Sequence, residues 1–214
     1  LLYCYPDKIT DELIAEMRDN PRLLPYMDIP IQHISDRILT AMNRHGNGRL
    51  VRETVEKLRR EVPGITLRTT AMVGFPGETR EDFEELCNYL REARFDRFGA
   101  FTYSPEEDTP AASFPNQIDE QEKQDRYDIL MQTQLPISEE LQRAKVGSDV
   151  TVLCEGYDRV ASTHFGRSAA DAPDVDGKVY FSSKKRVAPG KFVRVHLTDA
   201  LDYDLIGEAV EVLD

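Results

Sequence analysis

The chain has 214 residues, room for one or two domains, and its 40% hydrophobic share supports a genuine core. Charged residues make up 31% but are mixed in sign, which argues against a disordered chain. Lys and Arg number 27 against 39 Asp and Glu, a net charge of -12. That balance disfavours a protein that works chiefly by neutralising phosphates, and suits a small-molecule enzyme or a basic partner. No apolar run approaches the ~20 residues that cross a bilayer and no signal-peptide pattern opens the chain, so a cytoplasmic location is expected.

In chain order, Leu1 to Pro6 reads as a strand already under way and ended by proline, as in the downstream part of a larger protein. Asp11 to Asn20 is a short helix, and Met27 to Ile31 a buried strand. Ser35 caps a helix through Arg44, with Gly46 just past its end, and Leu50 to Val62 is a second helix closed by Pro63-Gly64. Ile65 to Val73 is a strand; Thr79 caps a helix over Glu81 to Ala93, with Asp82 three residues on. Phe98 to Tyr103 is another strand, and Asp119-x-x-Glu122 opens a long helix that Pro136 is expected to kink or split.

Strands separated by helices predict an α/β fold of parallel β/α units. Four such strands are too few for a closed eight-stranded barrel, which takes about 250 residues, so residues 1–144 form a partial barrel. Past Val146-Gly147 the texture changes. Val150 to Cys154, Lys178 to Phe181, Phe192 to Leu197 and Leu205 to Val212 are short β-rich runs broken by Gly, Pro and Asp, which predicts a small all-β barrel of OB type over residues 145–214.

The strongest motif is Gly74-Phe75-Pro76-Gly77-Glu78-Thr79, between a strand and a helix. Glycines there let backbone approach a ligand closely beside the positive end of a helix, although a tight turn with no ligand explains the pattern equally well. The loop is neither a P-loop nor a dinucleotide fingerprint. Gln32 and His33 leave another strand at the same rim, where a lone His is more often satisfied by backbone than catalytic. Arg68 and Thr70 share one face of their strand; Arg68 either faces a wet interior or lies in a structural ion pair. Glu106-Glu107-Asp108 reads as a solvated loop. Cys4, Cys87 and Cys154 are too scattered for a C-x-x-C site or a disulfide framework and read as structural.

In order, Leu1 to Pro6, Asp28 to His33, Ser35-Asp36-Arg37, Met42-x-Arg44, Arg68-Thr69-Thr70, Gly74 to Thr79, Phe95 to Phe98 and Tyr103-Ser104 resemble the radical S-adenosylmethionine (radical SAM) methylthiotransferases. Residues 145–214 resemble the TRAM domain that closes these enzymes. Gly166-Arg167-Ser168, Asp171 to Gly177 and Tyr203-Asp204-Leu205-x-Gly207 are similar to the branch that modifies a ribosomal protein. The resemblance implies S-adenosylmethionine and 4Fe–4S clusters as cofactors. It also implies transfer of a methylthio group to the β-carbon of an aspartate in ribosomal protein S-twelve. It implies a cofactor site near Gln32, His33, Arg68, Gly74, Pro76, Gly77 and Tyr103, with Arg68 free to pair with a carboxylate.

The chain departs from the family in lacking the C-x-x-x-C-x-x-C cluster loop, so no metal ligand and no catalytic residue is assigned and the chain alone is expected to be inactive. Its partner is expected to be the ribosomal protein rather than a membrane or nucleic acid, with the chain a monomer. Residues 145–214 hold nine Lys and Arg against twelve Asp and Glu. Asp171, Asp174 and Asp176, with Arg167, are candidates for binding that basic substrate, unless they are ordinary turn residues. Two alternatives stay open: the sibling branch acting on a tRNA adenosine, which the basic strip Lys184-Lys185-Arg186 favours, and a binding module without catalysis.

Overall fold

The computed structural model describes residues 1–213, in two compact units that divide between Ile137 and Ser138. The first unit carries a three-stranded parallel sheet, β1 (Tyr26–Asp28), β2 (Thr66–Val73) and β3 (Arg97–Thr102), in that spatial order. Met27 lies opposite Leu67, and Thr70 opposite Gly99. The helices are α1 (Asp11–Asp19), α2 (Asp36–Ala41), α3 (Gly48–Glu61), α4 (Arg80–Ala93) and α5 (Glu120–Arg143).

Local chemistry sets their ends. Thr10 and Asn47 cap α1 and α3 by accepting from Leu13 N–H and Leu50 N–H. Thr79 and Asp82 form a full capping box on α4. Val51, Val55 and Leu58 make the buried stripe of α3, and Phe83, Leu86 and Leu90 that of α4. They meet Met27, Leu67, Ala71 and Val73 of the sheet in one core.

Two expectations for this unit, and the split allowed for at Pro136, need correction. Leu1 to Pro6 is not a strand, although Leu1 N–H donates to Tyr26 O and Cys4 N–H to Asp28 O at 2.9 Å each. Tyr3 sits at φ 58, which breaks the extended run, and Pro6–Lys8 turns as a 3-10 helix. The helix after Ser35 stops at Ala41 rather than Arg44, because Asn43 is left-handed at φ 55. Pro136 lies within α5 without dividing it.

The second unit is a closed barrel in the order β4-β5-β6-β8-β7. Its strands are β4 (Asp149–Asp158), β5 (Thr163–Ser168), β6 (Val179–Ser182), β7 (Phe192–Ala200) and β8 (Leu205–Leu213). β6 and β8 pair in parallel and the other neighbours antiparallel. Val152, Cys154, Val179, Phe181, Val193, Val195, Leu197 and Leu205 fill the interior. The sequence reading missed β5. Its inward positions are His164 and Gly166, and a Cβ on Gly166 would stand 2.1 Å from Leu153 O. Among the described residues, no helix is long and apolar enough to cross a membrane.

Candidate functional site at the strand ends

The loops leaving the C-terminal ends of β1, β2 and β3 bring Gln32, His33, Gly74, Pro76, Gly77 and Tyr103 to one rim, where parallel sheets commonly bind ligands. Gln32 is held at φ 66 by a bridge to Ala71: its N–H donates to Thr70 O at 2.9 Å and its carbonyl accepts from Met72 N–H at 2.8 Å. Its side-chain oxygen is buried without a protein donor, and so is the Tyr103 hydroxyl. Beside them lies a cavity of about 400 Å³ whose walls include Gln32, Met42, Met72, Phe75 and Phe114. Phe75 packs edge-on against Tyr103 and Phe114, at 5.1 and 6.1 Å between ring centroids.

The glycine loop is locked by its own protein partners. Gly74 N–H donates to Glu78 Oε2 at 2.9 Å, and Gly77 N–H to Asn116 O at 2.9 Å. Arg37 donates to Gly77 O at 2.8 Å and pairs with Asp82. Both glycines are left-handed, at φ 75 and 81. A Cβ on Gly74 would fall 2.3 Å from Lys123 Cγ, whereas one on Gly77 would meet only Arg37 Nη1 at 3.8 Å. The close approach at Gly74 is therefore to a lysine stem of this chain.

Beneath the loop lies a buried charge network that the sequence reading did not find. Glu78 Oε1 accepts from Arg126 Nη1 at 2.7 Å, and the same nitrogen donates to Glu78 O at 3.0 Å. His33 is fully buried, and its Nδ1 accepts from Ser35 N–H at 3.0 Å. The ring proton of the neutral imidazole thus belongs on Nε2, which faces Glu78 Oε2 at 3.7 Å. Burial pushes His33 down to about 4, with Arg37 and Arg126 pushing the same way against Asp82. Burial raises Glu78, opposed by Arg126 and by the Gly74 and Phe75 amides. At Asp82 burial also pushes up, but hydrogen bonds from Ser35, Thr79 and Arg37 win and hold it at about 2.

The remaining candidates have structural partners. Arg68 Nη1 donates to Asp28 Oδ1 at 2.9 Å and Thr70 Oγ1 at 3.2 Å, the ion pair considered as its alternative role. In the barrel unit, Arg167 donates to Glu155 at 2.8 Å. Asp171 is buried and accepts from Ser168 N–H and Oγ, at 2.9 and 2.6 Å. Asp176 accepts from Ala172 N–H at 2.8 Å, while Asp174 is exposed at φ 61. Turn geometry thus occupies two of these three carboxylates. Cys4 lies beside β1, Cys87 on α4 and Cys154 in β4, and burial raises all three thiols, Cys87 to about 11. They form no set for an iron–sulfur cluster; among the described residues, no three His, Cys, Asp or Glu side chains group as metal ligands.

Residues 2–90 match the family described as "Radical SAM superfamily", and residues 146–210 match "TRAM domain". The protein "Ribosomal protein uS12 methylthiotransferase RimO" of Caldanaerobacter subterraneus subsp. tengcongensis is 48% identical over 208 residues, 97% of this chain and 47% of that protein. Its namesake from Geotalea uraniireducens is 48% identical over 211 residues, 98% of this chain and 47% of its own. Along nearly its whole length the chain is similar to radical SAM methylthiotransferases. It spans about half the length of the curated methylthiotransferases it matches. A solved structure of coproporphyrinogen III oxidase (HemN) from Escherichia coli, a radical SAM enzyme, aligns with TM-score 0.48 at 15% identity, over 68% of this chain and 33% of that one. Lys123 and Arg126 are rim residues that the sequence did not point to, and Glu78 was visible there only as a member of the glycine loop.

Proposed function

We propose that this chain is the S-adenosylmethionine-binding and substrate-binding part of a cytoplasmic radical SAM methylthiotransferase. The enzyme adds a methylthio group to the β-carbon of an aspartate in ribosomal protein S-twelve. The observation that supports this most is 48% identity, over 97% of the chain, to a protein named for that substrate. The rim is chemically suited to S-adenosylmethionine. An apolar-walled cavity suits a purine face, and the buried Gln32 oxygen and Tyr103 hydroxyl need partners that a polar ligand edge supplies.

When bound, that cofactor supplies the hydrogen-abstracting chemistry of the family. The chain's own residues hold and orient it. Gln32 and Tyr103 meet its polar edge, Phe75 and Phe114 exclude water from its ring, and the Glu78–Arg126 pair keeps the glycine loop in place. No step is assigned to a cluster, because this chain's thiols do not fit one.

The barrel unit is the substrate handle in this reading, with Asp174 the exposed carboxylate on the loop before β6 available to a basic ribosomal protein. One observation favours tRNA as the substrate instead. Arg159, Lys184, Lys185 and Arg186 gather with Tyr157 and His164 around a cavity of about 380 Å³ on the same unit. The test is the intact mass of ribosomal protein S-twelve from cells with and without the gene. Loss of one methylthio group's mass from S-twelve supports the reading. Unchanged S-twelve with a methylthio-adenosine missing from tRNA moves the assignment to the sibling reaction.

A further inference from the structure

The charged groups around the rim are almost all spoken for by acids of this chain. Arg37 pairs with Asp82, Arg68 with Asp28, Lys123 with Glu120, and Arg126 with Glu78 and Glu122. Arg44 differs. It is the one charged side chain on the walls of the 400 Å³ cavity, which are otherwise apolar or neutral. Its guanidinium lies 4.4 Å from the centroid of the Tyr5 ring, and one nitrogen donates to Pro30 O. Those two contacts fix the fork and leave most of its five N–H donors uncommitted. In a chain of net charge -12, a half-buried arginine with no carboxylate partner among the described residues is a site for an acid from outside.

The backbone around it is set for binding. Gln32 and Asn43, both on the cavity wall, are non-glycine residues in the left-handed region, at φ 66 and 55. Such strain persists where the surrounding structure over-determines it, as the two backbone bonds of Gln32 do.

We propose that Arg44 is the specificity-determining residue of this cavity, binding the side-chain carboxylate of an acidic residue on the protein substrate. The inference rests on the methylthiotransferase reading and adds to it the residue that selects the target side chain. A charge-assisted, fork-shaped contact rejects the isosteric amide, because an amide presents an N–H₂ group to a guanidinium.

The test titrates the full-length enzyme that contains this chain with two synthetic peptides of the S-twelve target loop, one with Asp and one with Asn at the target, read by fluorescence anisotropy. S-adenosylmethionine affinity is measured in parallel by calorimetry, and circular dichroism checks each variant's fold. The wild type prefers the Asp peptide by about tenfold or more, the ~1.4 kcal/mol of one charge-assisted bond. Arg44→Gln abolishes the preference and Arg44→Lys keeps part of it. A preference that survives Arg44→Gln overturns the proposal, as does a loss confined to cofactor affinity. A wild type that binds the cofactor and both peptides equally refutes this inference alone; one that binds neither cofactor nor peptide refutes the functional reading beneath it.

Discussion

Protonation of His33 gives the sharpest prediction, because the environment that determines it is fully described. The imidazole is 0% exposed and its pKa falls from 6.5 to about 4. A lowered folded-state value means that the unfolded chain takes up the proton first as pH falls. Stability contributed by neutral His33 is therefore complete above the unfolded value near 6.5 and is lost as pH drops toward 4. The shift of about 2.5 units amounts to about 3 kcal/mol at pH 4 relative to pH 7.5.

The groups that face this ring are Glu78, Asp82, Arg37 and Arg126. Glu78 works in the opposite sense, since its raised value favours the proton in the folded state. Asp82, held at about 2, begins to lose its contribution only at the acid edge of this range, near its ordinary 3.8, and does so equally in the variant below. The His33 part is isolated by a difference. His33→Asn keeps an acceptor for Ser35 N–H but removes the titrating ring. Urea unfolding of both proteins between pH 4 and 7.5, followed by circular dichroism, should show the wild type losing about 3 kcal/mol more than the variant across that range. Parallel curves for the two proteins, or a His33 titration near 6.5 by NMR, would refute the reasoning.

Arg126→Met leaves the Glu78 carboxylate buried and unpaired and should cost about 3 kcal/mol in urea unfolding at pH 7.5. Adding Glu78→Gln should recover part of that loss, and strict additivity of the two changes would count against a coupled pair. Gly77→Ala should cost about 1 kcal/mol for its φ of 81, and Gly74→Ala measurably more, because its Cβ also meets Lys123; equal losses by thermal melting would contradict the packing account. Asp171→Asn should lower barrel stability by about 1 kcal/mol with no effect on partner binding. Asp174→Asn should instead weaken salt-sensitive binding of the ribosomal protein without changing the melt.

Elements whose information is local were legible. The Thr79 and Asp82 pair announced α4 because both halves of the capping box lie within one turn. The stripe of Val51, Val55 and Leu58 announced α3 for the same reason. The early ends at Tyr3 and Asn43 were missed. A left-handed tyrosine carries no compositional mark; Asn43 did carry one, since asparagine is favoured in that region, but Gly46 three residues on offered the stronger stop signal. The strand Thr163–Ser168 was missed because its buried positions are filled by a histidine and a glycine. His164 is placed by stacking on Phe181 at 5.3 Å between ring centroids and by accepting from Val187 N–H at 3.2 Å. None of that belongs to a hydrophobic alternation.

At the rim the difficulty was inversion rather than silence. The glycine loop was found, but Glu78 inside it looked like one more acidic residue, since its partner Arg126 is 48 positions away. The trace lay in α5. Lys123, Arg126, Leu130, Gln134 and Ile137 fall on one helical face, at spacings of three and four, and all five are buried. Ile129, the residue an apolar-stripe reading would turn inward, is 47% exposed. A helix whose buried face carries two cations and an amide must find acids and carbonyls in the element it covers. Gln134 donates to Phe95 O at 2.9 Å, Arg126 pairs with Glu78, and the Lys123 stem packs on Gly74. Polar residues recurring at helical period inside an otherwise ordinary helix thus predict a charged site beneath it. Here that site is the underside of the glycine loop that holds the cofactor in the proposed reading.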